Sequence, residues 1–203
     1  MIDYTNTRSH SLSAINVTNG ERSMENIKQP PRSESDTLLK LKSGCCTSVS
    51  QCEELLSMLS EKDYQADTEA SSSIGGHVRH IVDRFQSFFQ GLPIQQIDYD
   101  ERARDKTIET SLESASFALA SVQRRLESLM PHQIQHQNLV VCETVHQQGF
   151  TVQVSSTAER ELMSLITHSI HHLAIIALLA KALGYKVDQS FGKAPSTVIF
   201  ESL

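Results

Sequence analysis

The spacing of apolar residues constrains the fold most, because it repeats every three or four positions in four separate stretches of the chain. Apolar residues at this spacing line one face of an α-helix, and that face must be buried against another element. The stretches cover residues 35–59, 73–90, 111–129 and 157–183. Gly91 and Gly184 follow two of them, as is usual where a helix ends. The sequence therefore predicts four long helices around one core.

A single β-rich stretch interrupts the helical pattern. Residues 139–146 and 150–154 are rich in β-branched side chains, and Gly149 lies in the short connection between them, which predicts a two-stranded hairpin. Ser156 and Glu159 then predict a capping box at the start of the last helix. The predicted fold class is mainly all-α: an up-down four-helix bundle with a small β-hairpin before the last helix.

The N-terminal part of the chain has a different character. It is rich in serine, threonine and asparagine and shows no apolar periodicity. Such a composition buries too little apolar surface to offset the entropy of ordering a chain. We therefore expect residues 1–36 to form a disordered or loosely docked tail, and residues 37–203 to form one domain.

Composition and charge exclude several functional classes. The net charge is −6 and no long basic run is present, which argues against nucleic-acid binding. The largest apolar run, Leu173–Ala180, is too short to span a membrane. The N-terminus lacks the basic and then apolar segments that are typical of a signal peptide. The four cysteines form no Cys-x-x-Cys pair, so neither a zinc knuckle nor a disulfide framework is predicted. We expect a cytoplasmic protein.

Histidine is the residue type that points to chemistry. His168 and His172 lie four residues apart on the last predicted helix, so they project from one face about 40° apart, among apolar neighbours. A buried imidazole requires a partner for its ring nitrogens, and a divalent metal is one such partner. A core histidine satisfied by a hydroxyl or carbonyl group is the alternative. His171 lies to the side of this pair, and we expect it to be exposed or adjacent to the site.

The second predicted helix could supply a third ligand, either His77 or His80. Three histidines that leave coordination positions open are typical of catalytic metal sites. The phase of the apolar residues places His77 nearer the centre of the buried face. A zincin site is excluded, because position 169 is a serine and the His-Glu-x-x-His pattern is absent.

Acidic residues near these histidines allow two interpretations. Glu161 lies seven residues before His168 and could bind the metal or a ligand histidine, although a first-turn glutamate is equally explained by the helix dipole. The charged block at residues 98–105 could supply an acid or base to the site. A solvated loop of mutual salt bridges is the favoured interpretation of that block.

Two motifs, in this order, resemble those of the DinB/YfiT-like superfamily. In the first, five residues separate Ser73 and Ile74 from His80, and two apolar residues then separate His80 from Asp83. In the second, residues 168–172 match the pattern His-x-x-His-His. The resemblance covers about residues 40–203 and implies a four-helix bundle with a three-histidine metal site.

The resemblance also implies which histidines would serve as ligands. They are His80, His168 and His172, so family spacing selects His80 where the helix phase selects His77. We expect His80 to be the ligand. His77 would then be a hydrogen-bonding neighbour of the site or an alternative ligand.

Some members of this superfamily are thiol-dependent transferases or isomerases. The resemblance therefore implies an enzyme of transferase or hydrolase-like type that uses a divalent metal, zinc or nickel first, with iron or manganese as alternatives. Its partners would be a small-molecule substrate, including a low-molecular-weight thiol, and a second copy of the chain in a homodimer. Two other functions stay open: a metal-binding or stress-related protein without turnover, and a structural bundle with core histidines.

Overall fold

The computed structural model describes residues 34–67, 72–134 and 138–203. Within these ranges the protein is mainly helical, with a small three-stranded sheet. The helices are α1 (Glu34–Leu56), α2 (Glu61–Gln65), α3 (Ile74–Gly91), α4 (Lys106–Thr110), α5 (Leu112–Ser128), α6 (Ala158–Ala182) and α7 (Pro195–Glu201). The strands are β1 (Gln96–Asp98), β2 (Asn138–His146) and β3 (Phe150–Thr157).

The four predicted long helices are confirmed as α1, α3, α5 and α6. Side chains satisfy the free backbone groups at their starts: Ser73 accepts a hydrogen bond from Gly76 N before α3, and Ser111 accepts one from Ser114 N before α5. Gly184 has a φ of +90°, a left-handed conformation that suits the end of α6. The helix boundaries therefore follow from local capping chemistry.

Helix α1 packs against α5 and α6, and α3 packs against the same two helices. Lys42 near the start of α1 donates to the carbonyl of Leu129, just beyond the end of α5, at 2.9 Å, so these two helices are antiparallel. Ser60 N, beyond the end of α1, donates to the Tyr185 hydroxyl, beyond the end of α6, at 3.2 Å. Helices α1 and α6 therefore run in the same direction.

The second pair of neighbours with a common direction is α3 and α5. The guanidinium of Arg125, in the last turn of α5, lies 4.3 Å from the ring centre of Phe89, near the end of α3. Two of the four neighbouring pairs are therefore parallel. The strict up-down alternation of the sequence prediction is not confirmed.

Helix α3 is the most deeply enclosed of the long helices, and its start is held close to α4. A Cβ on Gly75 would lie 2.0 Å from the Glu109 carbonyl oxygen, so only glycine allows this approach. The ring of Tyr64 packs at the same place, and its hydroxyl donates to the Ile108 carbonyl at 2.6 Å. This contact fixes the first turn of α3, the helix that carries His77 and His80.

The predicted hairpin is confirmed as β2 and β3, paired antiparallel with Val141 opposite Val154. A third strand, β1, pairs parallel to β2 with Ile97 opposite Val141. Strand β1 was not predicted from the sequence, because three residues are too few to show an alternating pattern. Ile97 is fully buried, so β1 anchors the charged block that follows it.

The structure differs from the prediction at the start of α6 and near the C-terminus. The N-cap of α6 is Thr157, whose side chain accepts from Arg160 N, and Ser156 instead donates to Glu161 Oε1 at 2.5 Å. The predicted capping box is therefore wrong. Helix α7 lies outside the four predicted helical stretches, and a proline occupies its first turn. Apart from its last three residues, where α1 already begins, the predicted tail 1–36 lies outside the described residues.

Within the described ranges, α6 is the helix that could cross a membrane by length and composition alone, with a window of mean hydropathy 1.7. Core helices of globular proteins pass the same test. In this fold one side of α6 lies against α1 and α3.

Candidate metal centre

Three histidines from two helices converge in the structure. His80 of α3 and His168 and His172 of α6 each offer one ring nitrogen, and these three atoms lie within 4.8 Å of one another. The ring centres of His168 and His172 are 4.6 Å apart, as expected for residues one helical turn apart. The ring of His80 lies 4.9 Å from His168 and 4.6 Å from His172. The predicted set of three is therefore one spatial group.

The nitrogens of this group are suited to a divalent metal. His168 Nε2 is buried and has no hydrogen-bond partner among the described residues, which is costly for a polar atom unless something else binds it. Imidazole nitrogens are common ligands for zinc and nickel. The residues present therefore fit the metal that the resemblance implies. Ligation itself stays a prediction.

The protonation state of the rings agrees with such a site. Burial, with a smaller contribution from neighbouring charges, lowers the pKa of His80, His168 and His172 to about 3. The largest charge effect on the pKa of His80 comes from His168, and the largest on the pKa of His168 comes from Arg84. Because a metal binds the neutral ring, the pKa values meet this requirement for all three rings at neutral pH.

His77 lies beside the group rather than in it. Its Nδ1 is 3.0 Å from His172 Nδ1, and burial lowers its pKa. The helix phase favoured His77, but the ring nitrogens that converge are those of His80 and the two histidines of α6. His171 is exposed, and the centre of its ring lies 5.1 Å from that of His172.

Glu161 does not join the histidines, so both metal-related interpretations of this residue are wrong. It accepts hydrogen bonds from the Tyr99 hydroxyl at 2.8 Å and from the Ser156 hydroxyl at 2.5 Å. Seven residues correspond to about 10 Å of helical rise, which separates Glu161 from His168 even though they share a face.

The carboxylates of the charged block at residues 98–105 support the loop. Asp98 accepts from the backbone of Asp100, Asp100 accepts from Thr144 N at 2.6 Å, and Asp105 caps α4. The residue of this block that reaches the site is Arg102, which donates to His80 Nδ1 at 2.7 Å. Sequence reasoning missed Arg102, because its approach depends on strand β1.

Arginines and a polar cavity adjoin the histidines. Arg79 pairs with Asp83 at 2.7 Å and with Glu109 at 2.8 Å, and Arg84 pairs with Glu143. Arg84 lies one helical turn beyond His80 and lines a cavity of about 260 Å³. The other polar residues that line this cavity are Tyr99, Glu143, Ser155, Ser156, Arg160, Glu161 and Ser164. Ser164 lies one turn before His168, so the cavity is next to the site along both helices.

Comparison with known proteins identifies the family. The DinB family model matches residues 38–192, which is most of the chain and includes all three histidines. The chain belongs to the DinB family. The resemblance found in the motifs is thereby confirmed. No curated protein matches this DinB family chain, and no solved structure matches it.

Proposed function

We propose that this DinB family protein binds a divalent metal through His80, His168 and His172, and that it is a metal-dependent enzyme. The observation that carries the proposal is the group of three ring nitrogens within 4.8 Å, together with His168 Nε2, which is buried and has no hydrogen-bond partner among the described residues. Family membership supports it as well.

The four long helices form one bundle in this proposal, in the cyclic order α1, α5, α3, α6. The packing of α1 and of α3 against both α5 and α6 supports this order. In this arrangement α1 and α6 run in one direction, and α3 and α5 run in the opposite direction. The site lies between the antiparallel neighbours α3 and α6, which places histidines from distant parts of the chain at one level.

The proposed chemistry is a transfer or isomerisation that uses a low-molecular-weight thiol, with zinc or nickel as the metal. A metal held by three neutral histidines keeps its full charge and open positions, and would lower the pKa of a bound water or thiol. The polar cavity beside the site supplies both signs of charge, from Arg84 and Arg160 and from Glu143 and Glu161. These residues would bind and orient a small polar substrate.

We also propose a cytoplasmic homodimer. Phe150, Val152 and Val154 are exposed on β3, which lies at the edge of the sheet. Exposed apolar side chains on an edge strand favour association with a second chain. Sedimentation of a 22.6 kDa species at micromolar concentration would count against the dimer.

The test of the metal proposal is metal analysis of purified, untagged protein. Stoichiometric zinc, nickel, iron or manganese supports the site, and its absence after incubation with each ion would mean that the histidines are core residues. Turnover of an electrophile with a small thiol would then support an enzyme. Metal binding without turnover of any thiol tested would favour a non-catalytic role.

A further inference from the structure

The third histidine of the site has a cationic neighbour. Arg102, in the loop between β1 and α4, donates a guanidinium hydrogen to His80 Nδ1 at 2.7 Å. A guanidinium donates hydrogen bonds but accepts none, so Nδ1 must use its lone pair in this contact. A neutral imidazole has one lone-pair nitrogen, and the proton of His80 is therefore on Nε2. In this form neither nitrogen of His80 is free to bind a metal.

The other two rings are under no such constraint. The described neighbour of His172 Nδ1 is His77, an imidazole that can either donate or accept. His172 can therefore carry its proton on Nδ1 and present Nε2. His168 Nε2 has no hydrogen-bond partner among the described residues. Of the three rings, His80 is the one whose described hydrogen bond comes from an obligate donor.

We propose that Arg102 competes with a divalent metal for His80 and so sets the metal affinity of the site. The inference rests on the proposed metal function. Two physical effects act together: Arg102 holds the lone pair that a metal needs, and its positive charge repels a second cation at close range. Metal binding and the Arg102–His80 hydrogen bond are therefore mutually exclusive.

The surroundings of Arg102 make this exchange feasible. Arg79 and Arg84, the other arginines near the histidines, are each paired with a carboxylate, whereas the described hydrogen bond of Arg102 is to a neutral ring. Its Nε is buried without a hydrogen-bond partner among the described residues. The loop residues on either side of Arg102 are exposed, so its release disturbs little packing.

The experiment compares Arg102→Met with Arg104→Met in zinc titrations of the full-length, metal-free protein. Both changes remove one guanidinium and keep an alkyl side chain, but Arg104 is exposed and donates to the Asp100 carbonyl at 3.4 Å instead of to a histidine. We expect Arg102→Met to bind zinc about 10- to 100-fold more tightly than the wild type, the range for a hydrogen bond from a charged donor. Arg104→Met should stay within about threefold of the wild type, as expected for an exposed charge.

A zinc affinity of Arg102→Met equal to or below that of the wild type overturns the competition. If neither the wild type nor Arg102→Met binds zinc, while circular dichroism shows that both are folded, the proposed metal function fails, and this inference fails with it. Ring nitrogen NMR of the metal-free protein gives a second readout. His80 should carry its proton on Nε2 in the wild type and in Arg104→Met, and lose this preference in Arg102→Met. An Nδ1 proton in the wild type would also overturn the proposal.

Discussion

Two groups of polar side chains on α6 lie seven residues apart and differ in how they are satisfied. Around Glu161, two hydroxyl donors, from Tyr99 and Ser156, meet one carboxylate. Around His168, neutral rings face one another, and a buried nitrogen has no hydrogen-bond partner among the described residues. The Glu161 carboxylate is satisfied by these hydrogen bonds, whereas the histidine group has a ring nitrogen that lacks a partner among the described residues and could bind a metal. Burial alone therefore does not mark a functional site; a surplus of acceptors does.

The largest expected effect is the loss of metal from the histidine group. His168→Ala and His172→Ala should each abolish stoichiometric metal, with affinity more than about 100-fold weaker, because each removes a ligand rather than a supporting contact. Elemental analysis and zinc titration measure this. His171→Ala is the matched control, since His171 is on the same helix and exposed, and it should keep the metal. Metal retained by either of the first two variants contradicts the assignment.

The next effect is the pH dependence of the metal-free protein. Burial lowers the pKa of the three rings from 6.5 to about 3, so between these values the unfolded chain binds more protons than the folded one. Stability should therefore fall as the pH drops from about 6.5 towards 3, by at most about 1.4 kcal/mol per pH unit for each ring and by less where solvent screens the charge.

Urea unfolding at a series of pH values, in the presence of a chelator, measures this slope. His168→Gln should flatten it, because one titrating ring is removed. An equal slope for the wild type and His168→Gln would show that the pH dependence arises elsewhere.

On the Glu161 side, the expected effect is on stability and not on metal. Glu161→Ala leaves the buried Tyr99 hydroxyl and the half-buried Ser156 hydroxyl without their acceptor and should lower the free energy of unfolding by about 2 to 4 kcal/mol. Glu159→Ala is the control, because Glu159 lies in the same first turn of α6 and shares the helix-dipole effect. Urea unfolding and metal analysis are the measurements. Metal loss in a folded Glu161→Ala protein would break the distinction between the two groups.

The smallest effect should come from His77, which supports the histidine group from outside. His77→Ala removes the neighbour of His172 Nδ1 and should weaken metal binding about tenfold, in the range for residues that orient a ligand. His80→Ala should instead abolish stoichiometric metal. Zinc titration of both variants decides between them. Loss of metal in His77→Ala with retention in His80→Ala would make His77 the ligand, as the helix phase indicated.

The parts of the fold predicted from sequence are those specified by local rules. Helices α1, α3, α5 and α6 are long enough for a repeat of apolar residues to identify them, and the β2–β3 hairpin has both its strands and its turn close together in the chain. Strand β1 and helix α7 were missed, because three and seven residues are too few for a pattern to emerge. The relative directions of the helices could not be predicted either, because they depend on how the connections between helices cross the core.

The site divides in the same way. The sequence by itself determined that His168 and His172 share a face, because four residues make about one turn of any helix. The spacing of the family motif predicted His80 as their partner, and the packing of α3 against α6 brings it to them. Only the tertiary structure decided that His77 contacts His172 and that Glu161 accepts a hydrogen bond from Tyr99. It also brought Arg102 to His80 through the path of a loop anchored by β1. Helical spacing is a property of the local backbone, whereas contacts between distant segments depend on how whole elements pack.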